Sequence, residues 1–572
     1  MYTTSSAFLE ALQDAGVSYI FSNFGSDHPA LLEAIAQAKA EGTAVPNVIT
    51  CPNEMVALAC AQGYTQLTGR AQAVIVHVEC GTQSLAGAVH NVSRCRIPVL
   101  IFAGASPYTQ EGELRGTRNE FIHWLQDVFD QRGIVRPYMK YENELRTGRN
   151  IKQMVHRALQ FAYSDPKGPA YLMGPREVME EEIPRIEVNP ALFEPIEPIA
   201  LPAAGVEELA NELRTARRPL VVTSYLGRNS QAVEELVRLC RCTGMAVLES
   251  VANYLNFPSD NELYIGVQGN EPVQNPCLAE ADFVLVMDSD VPWIPSKNGP
   301  SPEARIYHID IDPIKEQMPL WYIPARRVFR ADCATALRQI HDRLGSGVDA
   351  ALVQDRHAHY SRVHRDRDAQ LATRERQPQD GTITPEYLTA CIRKHIDRDT
   401  IVLNEGITNY SVIHNHVGAT QPLRLFTSGA SSLGWNGGAA IGMKLAAPDK
   451  TVVSLTGDGS YMFSQPSTVH WIARRYQAPF LQVIYNNRGW RAPRFSALAV
   501  HPHGFASKAG DLGIAFDPPP DYSGIAAAAG GAFARVVKNP ADLNPAIEEA
   551  LHAVRQERRS AVLDVWLAHL MS

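Results

Sequence analysis

The chain has 572 residues, 45% of them hydrophobic and 20% charged, and a net charge of −8. That length accommodates roughly three or four domains of about 150 residues each. The acidic balance, with basic residues scattered rather than gathered in one run, argues against nucleic acid as a main partner. No stretch approaches the roughly 20 apolar residues that a membrane span needs. The nine cysteines show no repeated CxxC spacing and read as buried, reduced thiols in a cytoplasmic protein.

The opening segment, TSSAFLEALQDAGVSYIFS, carries acids and lacks a basic flank, so it reads as an amphipathic helix leading into a strand rather than a signal peptide. AVIVHVE (73–79) and PVLIFAG (98–104) are strand-like runs ending in turn residues, with helical spacing between them in GTQSLAGAVHNVSRC. A proline-rich linker follows at 189–205. The next unit has strands predicted at 219–224, 282–290 and 304–312 and ends near Ile340. Residues 342–380 are strongly polar and read as a solvated helix plus linker. The last unit begins with a helix in ITPEYLTACIRKHI and has strands at 400–406, 451–457 and 480–487. This alternation predicts an α/β protein of three doubly wound parallel-sheet domains, at 1–188, 200–342 and 365–572, the outer two open to sharing one topology.

Two strand ends carry distinctive chemistry. TVVSLTG delivers Asp458 between Gly457 and Gly459, and Ser460 is expected to open a helix through PSTVHWIARRY. Strand, glycine turn and helix N-terminus make a site for phosphate, because free amides point outward there. The following strand, FLQVIY, ends in Asn486 and Asn487. Adjacent parallel strands place their C-terminal ends on one edge, so Asp458 and Asn487 converge. One carboxylate with amide and carbonyl oxygens suits Mg²⁺ holding a diphosphate. No GxxxxGK[ST] is present, which disfavours a P-loop.

GDG followed one βα unit later by NN resembles the thiamine-diphosphate motif, and the whole chain looks like the acetolactate synthase, benzoylformate decarboxylase and pyruvate decarboxylase superfamily. The resemblance implies a pyrimidine-binding domain, a central domain and a diphosphate-binding domain, in homodimers or homotetramers with active sites between the first domain of one chain and the third of another. It implies Asp458, the Asn487 side chain and the Gly489 carbonyl as magnesium ligands, and Thr408 and Asn409 as diphosphate contacts. It makes Leu433 the apolar wedge under the cofactor and the Ser431 carbonyl the acceptor for the 4′-amino group. Glu54, at the start of an apolar helix, matches the activating glutamate that shares a proton with the cofactor's aminopyrimidine ring. An exposed helix-start glutamate favoured by the helix dipole is the alternative reading.

Substrate residues are less sharply marked. His77 at a strand end and Ser26 in FSNFGSDHPA resemble the catalytic histidine and serine of benzoylformate decarboxylase; a structurally satisfied histidine is the alternative at His77. His28, Gln83 and Gln126 are weaker candidates. The chain departs from the family where VECG stands for SGPG, where Phe24 precedes Gly25, and where MDSDVPWIPSK lacks the arginine of the acetolactate synthases. Residues after the asparagines, RGWRAPRFSALAVHPHGFASKAG, are also unlike the GMVxQWE of acetolactate synthase, and these departures argue against bound FAD. After the asparagines, residues 488–510 carry Arg488, Arg491, Arg494, His501, His503 and Lys508, with Trp490 among them. This segment reads either as a mobile lid that meets an anionic substrate or as a solvated basic loop. The expected activity is Mg²⁺- and thiamine-diphosphate-dependent cleavage or formation of a carbon–carbon bond in a 2-oxo acid. The rivals are a 2-hydroxyacyl-CoA lyase or acyl-CoA decarboxylase, and a catalytically silent cofactor-binding paralogue.

Overall fold

A computed structural model describes residues 2–271, 273–345 and 347–571. Its central strands are short aliphatic runs buried on both faces, as a sheet covered by helices on each side requires. They form three six-stranded sheets with parallel pairing throughout. The first holds β1 (Tyr19–Ser22), β2 (Asn47–Thr50), β3 (Ala73–Val76), β4 (Leu100–Ala105), β5 (Tyr141–Glu144) and β6 (Ala170–Pro175), in the order β2-β1-β3-β4-β6-β5. The second holds β7 (Pro219–Thr223), β8 (Ala246–Ser250), β9 (Tyr264–Gln268), β10 (Phe283–Met287), β11 (Arg305–Asp310) and β12 (Arg327–Arg330), in the order β12-β11-β10-β7-β8-β9. The third holds β13 (Ile401–Glu405), β14 (Leu425–Phe426), β15 (Val452–Gly457), β16 (Leu481–Asn486), β17 (Phe533–Val537) and β18 (Ala561–Trp566), in the order β14-β13-β15-β16-β18-β17.

The outer two sheets thus share one strand order. In each, chain direction across the sheet reverses between two neighbours, β1 and β3 or β13 and β15, and ligands bind beyond the carboxyl ends at such a point. The turns after these strands carry Asp27, His77, Asn409 and Asp458.

Helix Glu54–Thr68 of the first unit packs directly on helix Trp435–Ala446 of the third. Glycine makes this approach possible: a Cβ at Gly442 would lie 2.0 Å from the Cys60 carbonyl, and one at Gly63 would lie 2.3 Å from the Ala439 carbonyl. The two units consequently share an apolar core that includes Val56, Cys60, Trp435 and Ala439.

At the reversal point of the central sheet the crevice is filled by charged side chains. Arg96, from the first unit, lies 2.8 Å from Asp290, while Lys315 lies 2.7 Å from Asp310 and 2.9 Å from Asp290. The Tyr225 hydroxyl donates to Asp310 at 2.7 Å. A dinucleotide in this crevice would have to displace buried, mutually paired charges, at a cost of several kcal/mol.

Two expectations need correction. Within the polar segment, helix Ala350–Arg374 is not simply solvated: Arg356, Tyr360, Ser361 and His364 are buried against the central sheet. Arg356 donates to the carbonyls of Thr243 (2.6 Å), Leu213 (2.9 Å) and Ala216, satisfying acceptors at the ends of two helices. Its inward face is largely polar, so hydropathy did not reveal it. The helix expected to run from Ser460 through PSTVHWIARRY is also interrupted. It begins at Asp458, stops at Phe463, and restarts at Pro466 after Gln465 takes a left-handed φ of 57°. Pro466 cannot donate a backbone hydrogen bond and fits only a first turn. No helix among the described residues is long and apolar enough to cross a membrane.

Candidate active site

The third sheet brings the GDG and NN turns together. Asp458 is buried at the first position of its short helix, with Oδ1 accepting from the Gly459 amide (2.8 Å) and Oδ2 from the Gly489 amide (2.9 Å). Burial pushes its carboxyl up to about 6, a penalty that a neighbouring cation would reverse. Asn487 is buried beside it, and its Oδ1 has no hydrogen-bond partner; the buried Ser460 hydroxyl is likewise unpartnered. A Cβ on Gly457 would meet nothing within 4 Å, leaving room at the turn. The Asn487 oxygen beside a buried carboxyl is what a hard divalent cation needs, and the Ser460 hydroxyl can donate to a diphosphate, so these residues fit magnesium thiamine diphosphate. Thr408 and Asn409 occupy the single turn Ile407–Asn409 after β13.

Glu405, at the end of β13, went unnoticed in the sequence because it looked like any strand-end residue. It is fully buried and accepts from the amides of Gly434 (2.8 Å) and Asn436 (2.9 Å), capping helix Trp435–Ala446. Burial pushes its carboxyl up to about 7, even against these donors. Glu405→Ala would strand the amides and is expected to cost about 2–3 kcal/mol, read as a lower urea midpoint at unchanged slope.

The first sheet builds the other half. Glu54 opens its helix, is buried, and accepts at Oε1 from Asn23 Nδ2 (2.8 Å). His77 follows β3, and its Nδ1 lies 2.6 Å from Oδ1 of Asp27, a buried carboxylate that also accepts from the Val78 amide (3.0 Å). Burial alone would raise Asp27, but His28 and His77 hold it well below the usual carboxylate range. The Asp27 hydrogen bond conversely raises His77, with Gln126 and Glu54 adding to the effect. Two glycines make room for the pair: a Cβ on Gly25 would fall 2.0 Å from His77 Nδ1, and one on Gly104 would fall 1.8 Å from Asp27 Oδ2. Val78, where the family reads SGPG, is held at φ 29°, a strained conformation for a β-branched residue.

The remaining candidates divide. Ser26 Oγ lies 3.4 Å from Nε2 of the buried His123, which in turn contacts Arg176 at 3.0 Å. His28 is buried with Nδ1 3.0 Å from both the Gly25 nitrogen and Asp27 Oδ1, so it braces the turn. Gln83 is exposed and donates to the buried Glu79. Ser431 and Leu433 lie on a loop docked against the first unit, where Asn91 Nδ2 donates to the Ser432 carbonyl at 2.8 Å and His90 Nε2 is 3.2 Å from Ser431 Oγ. Leu433 and Met55, the residue after Glu54, line one crevice. Asp27 and Asn23 were missed; a lone Asp in SDHP looks like an ordinary turn residue until Gly104 is folded beside it.

One reversal point thus holds a buried carboxylate beside the unpartnered oxygens of Asn487 and Ser460, and the other a buried glutamate with an Asp–His pair. Family models for the thiamine pyrophosphate enzyme match in order: the N-terminal TPP binding domain at 2–134, the central domain at 206–340 and the C-terminal TPP binding domain at 406–565. The chain belongs to the thiamine pyrophosphate enzyme family. It is 24% identical to sulfoacetaldehyde acetyltransferase of Castellaniella defragrans, over 98% of this chain and 93% of that one. It is 25% identical to benzoylformate decarboxylase of Pseudomonas aeruginosa, over 87% and 88%. In fold it resembles the thiamine diphosphate-dependent 4-hydroxybenzoylformate decarboxylase of Rhodococcus jostii RHA1, with a TM-score of 0.79, 20% identity and complete coverage of both chains.

Proposed function

We propose that this enzyme uses magnesium and thiamine diphosphate to cleave the bond between the carboxylate and carbonyl carbons of a 2-oxo acid, releasing CO₂, and passes the remaining fragment to a proton or to an acceptor carbonyl. The observation that carries the reading is Glu54: a buried carboxylate with one oxygen tied to Asn23. Asp458, Asn487 and the Gly489 carbonyl would hold the metal, and Thr408, Asn409 and the amides at Gly459 and Ser460 the diphosphate. Leu433 would support the cofactor's bend and the Ser431 carbonyl its amino group. When bound, thiamine diphosphate supplies the electron sink for the breaking carbon–carbon bond.

The chain's own groups manage protons. Asn23 orients Glu54 through Oε1, leaving Oε2 to share a proton with the ring that the pocket receives. Asp27 fixes His77 by its Nδ1, so Nε2 is the atom that carries a proton to and from the substrate carbon. The two halves would be completed across a homodimer or homotetramer. The direct test is CO₂ release from a panel of 2-oxo acids, with and without aldehyde acceptors. Release that requires Mg²⁺ and thiamine diphosphate supports the reading; cofactor binding with no 2-oxo acid turned over rejects it.

Asp27→Asn supplies a pH signature. With its pKa raised, His77 stays protonated above the usual imidazole range, and the variant moves the alkaline limb of kcat toward lower pH. The same linkage affects stability. The contribution from the His77 pair is complete below the ordinary imidazole pKa of about 6.5 and is lost as pH rises through the raised value. Urea midpoints should therefore differ more between wild type and variant at pH 5.5 than at pH 9.

A further inference from the structure

The segment after the metal loop contains a cationic face that the preceding mechanism does not use. Trp490 anchors it: its ring covers Gly459, where a Cβ would come within 2.1 Å, and meets Phe516 edge-on at 5.1 Å. Its amide donates to the Ile514 carbonyl at 2.8 Å. Helix Arg491–Val500 starts directly after it and packs against the turn Ile407–Asn409. The helix buries none of its residues fully, so apolar packing is not what recommends it.

Arg491 and Arg494 are spaced i, i+3 and share one helix face. Both are partly buried, and Arg491 Nε and Arg494 Nη1 are enclosed atoms with no hydrogen-bond partner. Among the described residues neither has a carboxylate partner; Arg491 only stacks on Phe495, 4.9 Å from the ring centre. No acid occurs between Arg488 and Gly510, and Asp511 spends Oδ1 on the amides of Gly513, Ile514 and Ala515. The other basic residues serve differently. Arg488 stacks on Trp566 at 5.0 Å and donates to the Leu567 carbonyl, while His501 and His503 are exposed.

Unpartnered guanidinium N–H groups held out of water cost free energy that an oxyanion recovers, and paired arginines match the planar or tetrahedral oxygens of carboxylate, sulfonate or phosphonate. We propose that Arg491 and Arg494 form an anion subsite for a second charged group, so that the substrate is a 2-oxo acid bearing a carboxylate, sulfonate or phosphonate at its far end. This rests on the 2-oxo acid reading above and names the substrate class. The same oxyanion chemistry could come from the cofactor's diphosphate, given the nearby turn Ile407–Asn409, and the test separates the two.

Binding is measured within seconds of mixing on the Glu54→Gln protein loaded with Mg²⁺ and thiamine diphosphate, where turnover is slowed by about 10³-fold. The ligands are oxaloacetate, 2-oxoglutarate and 3-sulfopyruvate, each against the 2-oxo acid of equal chain length lacking the second anion. At least one dianion is expected to bind about tenfold or more tightly than its partner. R491Q/R494Q should abolish that preference while leaving the affinities for the uncharged-tail acid and for thiamine diphosphate unchanged. Equal affinities within every pair overturn the proposal. So does a double variant that loses thiamine diphosphate affinity in parallel, which would assign the arginines to the diphosphate. Because this is equilibrium binding, a preference for dianions without CO₂ release from the wild type would reject the decarboxylation step and leave the subsite standing.

Discussion

Asp458→Ala is expected to weaken thiamine diphosphate binding by about 100-fold or more and to remove its dependence on Mg²⁺. Asp458 is buried with its carboxyl pushed up to about 6, and the nearby Asn487 Oδ1 has no partner. A protein tolerates such a pair when a cation completes it. In the proposed ligand set Asp458 is the one anionic side chain, and its removal leaves the protein an amide and a carbonyl oxygen that bind a hard cation weakly. Asn487→Ala should be milder, about tenfold, since it deletes a neutral oxygen. Quenching of tryptophan fluorescence by the cofactor, titrated with and without Mg²⁺, reads both; Trp490 covers Gly459 at this turn. If Asp458→Ala bound the cofactor as tightly as wild type, with the same metal dependence, the assignment of this turn would be wrong.

Glu54→Gln is expected to lower kcat by about 10³-fold while changing cofactor affinity little, since general acid–base groups contribute on the order of 10²–10⁴. The substitution keeps the shape of the side chain and an oxygen for Asn23, and removes only the carboxyl group's ability to give and take a proton. A loss of that size with binding retained separates a chemical role from a structural one. A kcat within about threefold of wild type would return Glu54 to the helix-start role that its position also suits.

The fold was legible where strands are aliphatic runs ending in turns, as at β3, β15 and β16, because burial on both faces leaves an unbroken hydrophobic pattern. It was illegible where polarity hides an inward face: Arg356 is buried by satisfying helix-end carbonyls, which no hydropathy pattern encodes. The convergence of the Asp458 and Asn487 turns was legible because they close two neighbouring parallel strands, β15 and β16. The proton-handling half was only partly so. His77 and Glu54 stood out, but Asp27 gains its meaning from Gly25 and Gly104, whose missing side chains make the space it occupies with His77. Glu405 sat within a stretch already under scrutiny, NEGITNYS, yet its partners Gly434 and Asn436 belong to another element. Gln83, one turn beyond Glu79 on the same helix, is exposed and donates to that buried residue.

In the proposed mechanism Glu54 activates a cofactor held at the Asp458 turn, and one measurement reaches that step without knowing the substrate. The rate at which the thiazolium carbon of bound thiamine diphosphate exchanges its proton for deuterium can be followed by acid quench and NMR. Wild-type protein with Mg²⁺ should accelerate exchange by several orders of magnitude over free cofactor, and Glu54→Gln should lose most of that acceleration at undiminished occupancy. Exchange no faster than in free solution, or equally fast in the variant, would contradict it.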